Sequence, residues 1–181
     1  MTDRSPASVP PVTRSMLEDA FAHHVWATLR VIDACLALDP EQLGTAVPGT
    51  YGSILDTVRH LVDSDGWYLF TLNGDRAALI DEDRMNLEGL RATTQVFGAG
   101  WSSLLQRELD PDTVTTEIDE DDGYRKDAPL GIRLAQALHH GTDHRSQICT
   151  ALTALGVEPP AIDLWSYGLE NGRVVEFPPM R

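Results

Sequence analysis

The chain has 181 residues, 42% hydrophobic and 23% charged, a length that suits one domain around a single core. Fourteen basic against twenty-eight acidic side chains give a formal charge of −14 with histidine neutral, so most of the surface repels phosphate backbones and anionic bilayers, and neither nucleic acid nor a membrane is expected as a partner. The only two cysteines, Cys35 and Cys149, sit in apolar helix-like segments and read as small core residues of a reducing compartment. The start, MTDRSPASVPPVTRS, has no apolar h-region, and no stretch approaches the roughly 18 apolar residues of a membrane span; the expected location is the cytoplasm.

Residues 1–14 mix Pro, Ser, Thr and single charges without period and read as a flexible leader. From residue 15 to 172 one domain is expected, with 173–181 as a tail. Leu17, Phe21, Val25, Leu29, Ile32 and Leu36 recur at spacings of four and three, one face of a long helix that Asp39-Pro40 is expected to stop. Ser53 is placed to cap a second helix marked by Ile54, Val58, Leu61, Tyr68 and Leu72 and closed near Asn73-Gly74. Asn86 can cap a third, running through Leu90, Phe97, Trp101 and Leu104 to Asp110-Pro111, with Gly98 and Gly100 as weak points in its middle. Between Thr113 and Lys126 alternating Thr, Val and Ile followed by Glu120-Asp121-Asp122-Gly123 predict a short hairpin or an extended crossover. Pro129 can occupy the first turn of a fourth long helix ending at Leu155-Gly156, and a short helix over 161–170 follows Pro159-Pro160. Four long amphipathic helices can bury their apolar stripes only against one another. The expected fold is all-α, a four-helix bundle with a long crossover and a short C-terminal helix.

On the fourth helix Ala137, His140, His144, Ile148, Ala151 and Leu155 share one face, so two imidazoles interrupt an apolar stripe. Residues four apart differ by about 40° in direction, which lets His140 and His144 share one ion. His139 points about 140° away from His144 and is a poor third ligand. A third must come from another helix, and His60, beside the apolar Leu61 and Val62, is the candidate. The HxxxH spacing alone is unspecific, since such pairs are frequently a solvated face or a satisfied buried pair. Gly141, next to His140, would let a neighbouring backbone come close.

Several stretches carry a resemblance: Trp26-Ala27 on the first helix, Gly52-Ser53-Ile54 leading to His60-Leu61, Trp67, the run His140-Gly-Thr-Asp-His144-Arg145-Ser146-Gln147, then Leu155-Gly156, Pro159-Pro160, Asp163 and Tyr167. Over residues 16 to 170 the sequence resembles the DinB-like superfamily (DNA-damage-inducible, YfiT-type) of four-helix-bundle metalloproteins, which is unrelated to the DNA polymerase sharing that name. Ser146 stands where a frequent form of the family has Gly. The resemblance implies metal ligands His60, His140 and His144, matching the spacing. Three imidazoles leave open positions, as catalytic sites do, and suit Zn, Ni, Fe or Co without choosing among them. It further implies a metal-dependent transferase or isomerase using a low-molecular-weight thiol on a small-molecule substrate, with a hydrolase or a non-catalytic, stress-associated metal-binding protein as alternatives, and a homodimer. Arg145 and Gln147 are candidates to hold the cofactor or a substrate, or else to pair with the first helix or bond between helices. Asp56, Asp63, Asp65 and Asp143 are near enough in sequence to orient a ligand, although solvated surface carboxylates are the expectation for each. No Ser-His-Asp or Cys-His pattern and no Gly-rich phosphate loop competes with the histidines.

Overall fold

The structure, a computed structural model, describes residues 14–118 and 123–179. Apart from Arg14, the expected leader lies outside the described residues, as does the acidic turn at 120–122.

Helix α1 (Met16–Cys35) starts in a capping box: the Ser15 hydroxyl accepts from the Glu18 amide while the Glu18 carboxylate accepts from the Ser15 amide, which satisfies two donors at the helix start. It ends ahead of Asp39-Pro40. That pair instead opens a single-turn helix α2 (Pro40–Leu43), Asp39 being its N-cap and Pro40 its first residue, where the missing N–H has no partner to lose. Helix α3 (Ile54–Asn73) has the expected ends, capped by the Ser53 hydroxyl on the Asp56 amide and closed by Gly74 with φ of 76°. Two unforeseen 3-10 turns, Arg76–Ala78 and Glu82–Arg84, lead to α4 (Leu87–Leu105), capped by Asn86. Helix α4 runs unbroken through its glycines; a Cβ at Gly98 would stand 3.0 Å from Val25 Cγ1, so the missing side chain is space that α1 uses. It stops short of Asp110-Pro111, and Leu109 packs back on the core.

Strands β1 (Val114–Ile118) and β2 (Arg125–Pro129) form the antiparallel hairpin, Val114 opposite Pro129 and Ile118 opposite Arg125. Pro129 ends the strand, and α5 (Leu130–Ala154) begins directly after it, the Leu130 amide donating to the Thr113 carbonyl. The hairpin is clamped to the bundle by the buried Arg133, which pairs with Glu117 and donates to the carbonyls of Thr115 and Lys126. Trp67 donates its indole N–H to the same Glu117. Helix α6 (Leu164–Glu170) is shorter than expected because the Asp163 carboxylate caps it and the Ile162 carbonyl is drawn off to accept from His23 Nε2.

The four long helices form a closed ring: α1 packs on α4 and α5, and α3 packs on the same two. Helices α1 and α3, and likewise α4 and α5, therefore face each other across the core. Two of the connections between long helices cross a diagonal, one through α2 and one through the hairpin; only the second was expected. Phe21 and Trp101, ring centroids 4.5 Å apart, fill the α1/α4 seam, and Leu61, Ile148 and Leu152 the α3/α5 seam. Among the described residues no helix is long and apolar enough to cross a membrane.

Candidate metal centre

The α3/α5 seam brings His60 against His140 and His144. The Nε2 atoms of His60 and His140 are 3.2 Å apart, and those of His140 and His144 3.1 Å. One ring nitrogen from each residue lies within 4.8 Å of the other two. The rings meet edge to face, with centroids 4.4 to 5.1 Å apart, so nitrogens rather than ring faces converge.

Three neighbours set these rings. Gln147, one turn beyond His144, accepts the His144 Nδ1–H at 3.0 Å through Oε1, which leaves the Nε2 lone pair toward the cluster. The same oxygen accepts from the Tyr51 amide at 3.0 Å. Tyr51 in turn stacks on His60, 4.1 Å between centroids and 6° from parallel, with its outer side exposed. Tyr68 stands edge-on to His140 and its hydroxyl accepts from Gln136 at 3.3 Å. None of the four aspartates considered from the sequence bonds to a ring of the cluster: Asp56 accepts from the Ser53 hydroxyl, Asp143 is exposed, Asp63 is half-buried, and Asp65 is engaged elsewhere.

Electrostatics favour the neutral form of His140 and His60. Burial, then the neighbouring His144 and His60, pushes the His140 pKa down to about 4. Burial and His144 also hold His60 below the ordinary histidine value. At 3.1–3.2 Å these nitrogens are bridged either by the Nε2–H of one neutral ring or by a cation that the lone pairs share. Ligand nitrogens at about 2.0–2.1 Å from a tetrahedral ion stand about 3.3 Å apart, close to the separations found. The donor set fits a transition-metal ion. The Nδ1 of His140 is buried with no hydrogen-bond partner among the described residues, so the polar contacts of that ring are those of its Nε2 in the cluster.

Behind this cluster runs a second buried chain, of which sequence reasoning named only the pairing of Arg145 with the first helix, as one alternative. His24 of α1, fully buried, donates Nε2–H to both oxygens of Asp65 of α3, at 2.8 and 3.0 Å, and its Nδ1 accepts from Arg145 of α5 at 3.0 Å. Arg145 can only donate, which places the ring proton on Nε2. Asp65 is 2% exposed, not the solvated carboxylate expected. A Cβ on Gly141 would lie 2.3 Å from His24 Cε1; the glycine admits this imidazole rather than a neighbouring backbone. The readable signal was that glycine inside a helix, one turn before an arginine. Arg145 is 2% exposed, and burial lowers its pKa to about 10, so it is cationic at neutral pH. Of the two candidate cofactor residues, Gln147 thus touches a histidine of the cluster and Arg145 reaches across to α1. His139 is exposed on the other side of α5.

A sequence model of the DinB family matches residues 13–172. The chain belongs to the DinB family. The match spans all four long helices and the whole three-histidine cluster, and it agrees with the resemblance read from the HxxxH run. No curated protein matches the sequence.

Proposed function

We propose that this DinB family chain is a metal-dependent enzyme in which a divalent transition ion (Zn, Ni, Fe or Co) on His60, His140 and His144 serves transfer of a low-molecular-weight thiol to an electrophilic small molecule, or an isomerisation run through the same thiol. The observation that carries the reading is the donor set: three ring nitrogens converge, and among the described residues no fourth His, Cys, Asp or Glu joins them, a pattern of sites that keep a position for an exchangeable ligand. When bound, a divalent ion supplies Lewis acidity that lowers the pKa of a thiol or a water. Gln147 orients His144, and Tyr51 offers an exposed aromatic wall beside His60 for the apolar part of a substrate. Burial raises the Tyr68 pKa, so its hydroxyl keeps its proton beside His140 at neutral pH.

The test pairs elemental analysis of protein purified without added metal with turnover assays on the same sample, using a panel of thiols and electrophiles and, in parallel, esters and amides. Metal-dependent thiol transfer that disappears in His60→Ala and persists in His139→Ala is the expected result. Turnover confined to esters or amides moves the assignment to hydrolysis. Full metal occupancy with no turnover on any substrate makes the bundle a metal-binding protein without catalysis.

A further inference from the structure

On the α1 side of α5, away from the three histidines, lies a cavity of about 690 Å³ bounded by α1, α5 and the segment before α6. That is a common size for a small-molecule site. Its walls are largely apolar, with Ala20, Leu138, Pro159, Pro160 and Ile162 among them, and Arg145 also faces it.

A guanidinium carries five N–H groups. In Arg145, Nη1 donates to His24 Nδ1 (3.0 Å) and Thr28 Oγ1 (3.1 Å), with the His24 carbonyl at 3.4 Å, and Nη2 donates to Thr142 Oγ1 (3.1 Å). Among the described residues the Nε–H and one Nη2–H have no partner, and no carboxylate contacts the group. The Nε–Nη2 edge is the one a carboxylate takes in a bidentate pair. This molecule uses it so three times elsewhere, in Arg91 with Asp33, Arg125 with Asp127 and Arg173 with Asp19. Arg145 alone of these four is buried, at 2% exposure. Asp163 also lines the cavity, but its carboxylate is occupied by the amides of Trp165 and Ser166 and the Ser166 hydroxyl.

We propose that this cavity is a second ligand site, separate from the metal centre, which takes a small carboxylic acid with an apolar body, the carboxylate resting on the Nε–Nη2 edge of Arg145. The His24–Asp65 chain holds the guanidinium in place beforehand, so binding does not have to order it. The assignment is independent of the thiol-transfer reading.

The probe is 4-fluorobenzoate, titrated into chelator-treated protein and followed by fluorine NMR. Saturable binding is expected, at least tenfold tighter than that of 4-fluorobenzyl alcohol, a comparison made on the unaltered chain. Ala20→Trp, which fills the cavity from α1, weakens the acid at least tenfold. Arg145→Lys keeps the charge but loses the planar edge and does the same. His140→Ala leaves the affinity within twofold. No saturable binding, equal affinity for acid and alcohol, or undiminished affinity in Ala20→Trp overturns the proposal; so does loss of binding in His140→Ala, which places the acid at the metal centre.

Discussion

At the scale of single residues, the depressed pKa of His140 sets a pH dependence with a definite sign. Its folded-state value of about 4 lies below the unfolded value of about 6.5, so between those limits the unfolded chain binds more protons. Stability of the metal-free protein falls as pH drops from about 6.5 toward 4, and His60 adds to the loss in the same direction. Urea unfolding at a series of pH values reads this, and a midpoint that does not move between pH 7 and 5 contradicts it. Metal occupancy falls at the acid end of that range, toward the folded value of about 4, because ligation needs the neutral ring. His140→Ala and His144→Ala lose stoichiometric metal in equilibrium dialysis with elemental analysis; retention of full occupancy in both means that the ion sits elsewhere. Gly141→Ala drives a methyl into His24 and loosens its bonds to Asp65 and Arg145. An unfolding loss of about 2–4 kcal/mol is expected, against well under 1 kcal/mol for an Ala at the exposed Ser146.

Among the elements, Ser53→Ala removes the cap of α3 and costs about 1 kcal/mol, measurable by thermal melting, without displacing His60 in the helix middle. Such caps were legible beforehand because a short polar side chain before an apolar period is a local signal; Ser53 and Asn86 both occupy the positions their spacing predicts. Helix α2 and the 3-10 turns were not legible, since segments this short are set by what they pack against and not by period. The early end of α4 and the late start of α6 have the same origin, as the Leu109 packing and the His23 bond to Ile162 show. In the site, His140 and His144 could be paired because one helix carries both. His60 could be named from its apolar neighbours and from the family. His24 and Asp65 could not, because their contact crosses the bundle diagonal between helices whose sequences give no mutual register, and an aspartate among so many acids looks solvated.

For the molecule as a whole, the charge of −14 predicts no binding to duplex DNA at physiological salt; tight, salt-sensitive retardation in a gel shift refutes this. The closed ring of helices and the Asp65–His24–Arg145 chain, which ties α3, α1 and α5 together, hold the seam without an ion. Chelation is therefore expected to leave the far-ultraviolet dichroism unchanged, whereas a metal-nucleated fold would collapse. The two hydrogen bonds converging on the Gln147 Oε1 have a further consequence. One comes from a histidine of the cluster and the other from the backbone of the 44–53 connection, so a single oxygen links the two thermodynamically. A firmer His144 donor pins the Gln147 side chain, and with it the oxygen that holds Tyr51, and by reciprocity whatever lifts Tyr51 away frees that side chain and loosens the ion's seat. Amide exchange at Tyr51 then reports on metal occupancy, slow when the centre is filled and faster when it is empty, with Gln147→Leu erasing the difference.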